Sequence, residues 1–138
     1  MKRLDLVLIL SCILFSFSAV AEQELIKPQT QGEVTFVNGG VGGDEQNAMQ
    51  ALGADYNLHL LFSIKGTGEY VSDVKVRIAD SSGNTILETV SDGPMLFAKL
   101  KPGRYSVTVD KDGQVVKKTA TVASTTKRTS LSITWPKD

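Results

Sequence analysis

His59 is the single histidine of this 138-residue chain, and its side chain is the one whose ordinary pKa lies near neutrality. As a general base it would take a proton from a nucleophile, and as a metal ligand it would need several partners. Serines and aspartates are plentiful, yet no Gly-x-Ser-x-Gly elbow occurs. The alternation around it puts Leu58, Leu60, Phe62 and Ile64 on one strand face and His59, Leu61, Ser63 and Lys65 on the other. His59 is therefore expected as a surface or rim residue, and a hydrolase built on it is the weakest of three functional readings. The run Gly39-Gly40-Val41-Gly42-Gly43 precedes Asp44-Glu45 and a helical pattern. Glycines before a helix N-terminus can cradle a phosphate. Here no Lys-Ser/Thr follows and the G-x-G-x-x-G spacing is missing. Asp44 and Glu45 already sit at the positive helix end, where they stabilise the helix and repel an anion. Gly40, Gly42, Gly43, Asp44 and Glu45 thus read as a tight turn with an acidic cap. Four glycines are entropically costly to order, so this segment is also the first choice for a ligand or partner contact.

Asp110-Lys111-Asp112-Gly113 starts like a calcium loop, but the third ligand, the shifted glycine and the distant glutamate are not in register. It reads as a hairpin turn, as does Asp80-Ser81-Ser82-Gly83-Asn84. Tyr56, Tyr70 and Trp135 could stack on a sugar. Trp135 alternates with Leu131 and Ile133, however, so it and Tyr105 belong to the core. Tyr70, after Gly66-Thr67-Gly68, is the aromatic expected at the surface and completes the set of candidate binding residues. No catalytic set, metal set or cofactor is implied.

The elements that must position these residues are mostly strands. Alternation is clear at 58–64, 74–78, 104–110 and 130–135, and weaker at about 84–90, 95–100 and 114–122. Val34–Val37 is a further short apolar run. Asp44 to Leu52 carries Ala48, Met49, Ala51 and Leu52 at helical spacings, with Gly53 placed to end it, which predicts one helix over roughly 44–53. Seven short strands with Gly or Pro between them predict an all-β antiparallel sandwich, each sheet having one wet and one dry face.

Lys and Arg total 15, as do Asp and Glu, which argues against a nucleic-acid binder. Lys2-Arg3, an apolar run to Val20 and Ala19-Val20-Ala21 form the pattern of a signal peptide over 1–21, cleaved after Ala21. Cys12 loosely resembles a lipidation site, but the apolar run continues beyond it. Removing Lys2, Arg3 and Asp5 leaves 13 basic and 14 acidic residues and no cysteine. The organisation expected is a leader (1–21), a flexible polar lead (22–33), a Gly-rich turn with a short helix (34–56) and the sandwich (57–138). From Glu22 to Ala98 there are 4 basic and 11 acidic residues, against 9 and 3 from Lys99 onward, which suits inter-strand charge pairing.

Leu100-Lys101-Pro102-Gly103-Arg104-Tyr105-Ser106-Val107 resembles the L-x-P-G-x-Y-x-V hairpin of the carboxypeptidase regulatory-like domain, a transthyretin-like (prealbumin-like) β-sandwich. Gly39–Glu45, Tyr56-Asn57-Leu58, Gly68–Val74, Asp92-Gly93-Pro94 and Trp135 are similar to a set of small exported bacterial proteins carrying that domain. The resemblance spans about 39–135 and implies fold and compartment. It implies no peptidase activity, because the catalytic zinc domain of true carboxypeptidases is a separate unit. The leading functional expectation is a non-enzymatic interaction module of the periplasm or cell envelope, with a protein partner. The alternative is a small-ligand or carbohydrate binder. Open edge strands are compatible with a homo-oligomer that nothing in the sequence specifies.

Overall fold

A computed structural model describes residues 25–137. The predicted leader, with Cys12 and the Ala21 cleavage site, lies outside those residues. The strands are β1 (Gln29–Gln31), β2 (Val34–Gly39), β3 (Leu58–Ile64), β4 (Val74–Ala79), β5 (Thr85–Ser91), β6 (Met95–Lys99), β7 (Gly103–Lys111), β8 (Gln114–Val122) and β9 (Thr129–Trp135). Among the described residues one helix, α1 (Gly42–Leu52), runs into a 3-10 turn at Gly53–Asp55. One sheet has the order β1-β2-β6-β3-β9 and the other β5-β4-β7-β8. Every pairing is antiparallel except β3 with β9, which is parallel from Leu58↔Thr129 to Ile64↔Trp135.

The alternating residues do what period two requires of them. Leu58, Leu60 and Phe62 of β3 meet Val74, Val76 and Ile78 of β4 and Val107 and Val109 of β7 in one core between the sheets. Trp135 closes that core, with its ring centroid 6.1 Å from that of Phe62. Both long sides of the sandwich are tied by side chains bonded to backbone. On one side the Gln31 amide donates to Glu88 O (3.1 Å) and accepts from Glu88 N (2.8 Å), taking the place of a neighbouring strand along β5. On the other, Trp135 Nε1 donates to Gln114 O (2.9 Å) and Thr129 Oγ1 to Thr121 O (2.9 Å). These bonds occupy edge groups that would otherwise offer a pairing template.

Two expectations need correction. From residue 25 onward, the stretch expected as a flexible lead is not merely flexible. Ile26 is buried, and Gln29–Gln31 pairs with β2, because a hairpin through Gly32 lets the chain extend the sheet beyond β2. The sandwich accordingly has nine strands where seven were expected. The five-stranded sheet also lacks a wet outer face of the expected kind. A second core of Ile26, Val37, Met49, Tyr56 and Phe97 lies there, where α1 sets its Ala48-Met49-Leu52 stripe on the sheet. Complete burial of Met49 is worth roughly 2 kcal/mol, which anchors an otherwise weakly apolar helix. The helix ends where Gly53 was expected to end it, with φ −57° at that residue, and the chain tightens there into the 3-10 turn.

Opposite charges meet mainly in register. On the exposed side of the four-stranded sheet Lys75 faces Asp110 of the other half of the chain, and Arg77 faces Glu88 within its own half. Lys101 Nζ reaches Glu33 at 2.9 Å, an exposed pair that contributes little to stability.

Candidate functional site

The Gly-rich segment leaves β2 and enters α1 over the outer face of the five-stranded sheet. Glu45 Oε1 accepts hydrogen bonds from the N–H groups of Gly40 (3.1 Å) and Val41 (3.2 Å), and Gln46 Nε2 donates to Gly40 O (3.1 Å). Two of the N–H groups leading into the helix are therefore taken by a carboxylate four and five residues on, and that carboxylate places negative charge where a phosphate would have to sit. Gly40 has φ +100°, a backbone conformation that favours glycine, and a Cβ there would lie 3.2 Å from the Met95 side chain. Gly42 has φ +81°, with open space around it. Gly43 has neither a positive φ nor any atom near a would-be Cβ. Asp44 is exposed, and Val41 beside it is 56% exposed.

Tyr70 is half-exposed, as expected. It bridges Ser63 of β3 in the same lane of the sheet that β6 occupies alongside Leu58–Leu61, with Val71 N bonded to Phe62 O. Gly39 pairs with Met95 in the neighbouring lane, so Tyr70 and the Gly-rich loop share one end of the sheet. They do not form one hollow, however. Tyr70 lines a concavity of about 650 Å³ with Trp135, Pro136, Lys111 and Asp112. Only one aromatic face is offered there, since Trp135 is 1% exposed.

The two acidic turns are structural. Asp112 (φ 52°) and Gly113 (φ 88°) form the two-residue loop of the β7–β8 hairpin, and Asp110 Oδ1 accepts from Gly113 N at 2.8 Å. Asp80 Oδ1 accepts from Ser82 N and Asn84 N in the β4–β5 hairpin. Among the described residues, no group of three or more His, Cys, Asp or Glu side chains could hold a metal ion, and no helix is long and apolar enough to cross a membrane.

His59 departs most from expectation. Alternation placed it on the correct face, but that face is roofed by the 3-10 turn after α1, so the residue is 9% exposed and not a rim histidine. Its ring stacks on Phe97 at 3.8 Å and 15°. Nε2 lies 2.9 Å from Gly53 O and 3.1 Å from Tyr56 O. Two carbonyls can only accept, so Nε2 carries the proton and Nδ1 holds the lone pair of the neutral ring. A Cβ at residue 53 would lie 3.0 Å from His59 Cε1, which explains the glycine there. Burial holds the His59 pKa below its ordinary 6.5; the two carbonyl bonds oppose that shift and the Arg128 charge adds to it. The ring forms part of the floor of a groove of about 330 Å³ between α1 and β9, with Leu61, Met95 and Phe97 beneath and Arg128, Ser130 and Ser132 along the wall.

A pH dependence follows. Above 6.5 both the folded and the unfolded chain hold this imidazole neutral. As pH falls below 6.5 the unfolded chain takes up the proton first, so stability drops until the lowered folded pKa is passed. His59→Gln is expected to flatten the melting temperature of the protein between about pH 6.5 and pH 5 relative to the parent. An unchanged slope in that window would mean that another group carries it.

Asn57 and Gly93, which carry no site chemistry of their own, have the tightest structural roles. Asn57 is 2% exposed and bonds three backbone groups (Leu100 N, Leu100 O and Ser124 O), while Gly93 packs directly on the backbone of Gly39. A polar residue at the start of a strand and a Gly-Pro pair after Asp92 were the available signals. The chain matches no protein-family model, no curated protein and no solved structure.

Proposed function

We propose that this protein is an exported, non-enzymatic binding module that docks on a protein of the periplasm or cell envelope. Its sandwich is read as transthyretin-like, of the carboxypeptidase regulatory-like kind. The Pro102-Gly103 turn leading to Tyr105 supports that reading, as does the fact that β3 to β9 alone make a sandwich of three strands against four.

The observation that carries the docking surface is Gly43. Glycine in a helix costs about 1 kcal/mol relative to alanine, and neither the φ nor the surroundings of Gly43 call for it. Bare backbone at this point, beside the exposed Val41, suits close approach by another chain. Gly43→Ala is expected to raise stability by about 0.5–1 kcal/mol, read from thermal or denaturant melts, and at the same time to weaken partner capture. A photo-crosslinker at Val41 in cells, followed by mass spectrometry, identifies the partner. Reproducible capture of one envelope protein, lost in the Gly43→Ala variant, supports the reading. Capture that is equally strong with Gly43→Ala removes the loop from the interface.

A further inference from the structure

We infer that the groove between α1 and β9 binds a small carboxylate with an apolar body and an N–H donor next to the acid, the chemistry of an N-acylated apolar amino acid. That chemistry occurs both in free N-acyl amino acids and in the last residue of a peptide. The inference deepens the binding-module reading and uses a surface separate from the Gly43 loop.

Four features of the groove select this ligand. The only charged side chain lining it is Arg128, which makes no salt bridge with any described carboxylate, so the site favours a single negative charge. Gly53 O, the carbonyl lining the groove just beyond the helix end, is already taken up by His59 Nε2 and Tyr56 N, which lessens its opposition to an anion. His59 Nδ1 bonds no protein group, yet it is not sealed off as a buried unpaired atom, and the groove is the concavity its ring lines. A lone pair held there by a ring that is itself nine-tenths buried is a fixed acceptor for a donor on the ligand, which replaces water at that point. Between these two polar points the floor is Leu61, Met95 and Phe97, which suits an apolar side chain.

Size and access agree. A groove of about 330 Å³ sits at the small end of ligand cavities, which span roughly 300–1,000 Å³, and takes one acylated residue. Ser132 and Thr134 continue outward along β9, exposed, where the preceding residues of a peptide could run. The ring geometry is set before any ligand arrives, because Phe97 stacks on one face of the imidazole and two carbonyls hold Nε2.

The test uses the imidazole itself. His59 is the only histidine in the chain, so in isotope-labelled protein without a histidine tag its Nδ1 resonance is a single reporter. N-acetyl-leucine is expected to move that resonance and to saturate in the millimolar range. The uncharged N-acetyl-leucine amide is expected to bind at least about tenfold more weakly. Arg128→Gln, an exposed substitution, should lose the same factor with the melting temperature unchanged. A short peptide ending in a free leucine carboxylate separates the two sources. Binding about tenfold tighter than that of N-acetyl-leucine assigns the site to peptide C-termini, and binding no tighter assigns it to free N-acyl amino acids. If Nδ1 is unmoved by every probe, or moves equally with acid and amide, the proposal is overturned. Neither failure touches partner capture through Val41 and Gly43, which lie at the other end of α1.

Discussion

Gly93→Ala is expected to destabilise the protein by about 3 kcal/mol or more and to lower its melting temperature by on the order of 10 °C. The methyl group would have to occupy space held by the O, C and Cα atoms of Gly39. A flexible side chain could swing aside, but a strand backbone cannot move without disturbing its pairing with Met95. Nor can the turn retreat. Ser91 Oγ bonds Gly93 O at 2.7 Å, Asp92 N bonds Asn38 Oδ1 at 2.9 Å and Pro94 O accepts from Phe62 N at 2.9 Å. This turn carries the chain from β5 in one sheet to β6 in the other, so its displacement strains both sheets at once. The parent and the Gly93→Ala variant would be compared by calorimetry, with Gly43→Ala as the control predicted to move the opposite way. A Gly93→Ala melting temperature within about 2 °C of the parent would show that Gly39 yields more readily than its pairing implies.

The contrast between Gly93 and Gly43 bears on function as well as stability. Both sit close in sequence or space to the same loop, yet one is fixed by the fold and the other is left unexplained by it. Substitutions at Gly40 or Gly93 would damage any activity by damaging the fold, and so report nothing about partners. Gly43 and Val41 are the positions where a loss of binding can be read without a loss of structure.

The strands that the sequence made legible are those with one face in the main core. β3, β4, β7 and β9 alternate because Leu58, Val76, Val107 and Ile133 must all point between the sheets. β1 could not be found this way. All three of its residues are exposed, and it is held by pairing with β2 and by the Gln31 amide on Glu88, neither of which leaves a hydrophobic period. The parallel join of β3 and β9 brings together segments about seventy residues apart, and no turn chemistry marks it. His59 shows a different limit. Alternation states which face a residue occupies but not what covers that face. The signal lay elsewhere, in the Ala48-Met49-Leu52 stripe of the predicted helix, which needed an apolar surface to rest on. The free outer face of the sheet, bearing Val37 and Phe97, was the surface available. The acidic cap was half legible. Asp44 and Glu45 were both assigned to the helix dipole, but Glu45 turns back to bond Gly40 and Val41 directly.

Asn57→Ala is expected to cost about 3–4 kcal/mol, a large part of the 5–15 kcal/mol that holds a domain of this kind together. One side chain here ties three parts of the chain. Its Oδ1 accepts from Leu100 N (2.8 Å), and its Nδ2 donates to Leu100 O (2.7 Å) and Ser124 O (3.1 Å). The backbone carbonyl of Asn57 also accepts from Thr129 N (2.7 Å), so the residue sits where the β6–β7 turn, the β8–β9 connection and the start of the parallel pair converge. Truncation strands the amide of Leu100, itself 3% exposed, in a place water reaches poorly. Asn57→Asp separates hydrogen bonding from shape. The carboxylate can still accept from Leu100 N, but it faces Leu100 O and Ser124 O with no proton to give. Those carbonyls disfavour the charged form, so the folded pKa of the new acid rises above the ordinary value of about 3.9. The folded protein then keeps a proton that the unfolded chain has released. The stability of this variant therefore falls as pH rises through about 4, and goes on falling until the raised pKa is passed. Denaturant melts of Asn57→Asp and Asn57→Ala across that range are expected to diverge, with the acid variant recovering toward low pH and the alanine variant not. Parallel curves would mean that water, and not the side chain, bridges Leu100 and Ser124.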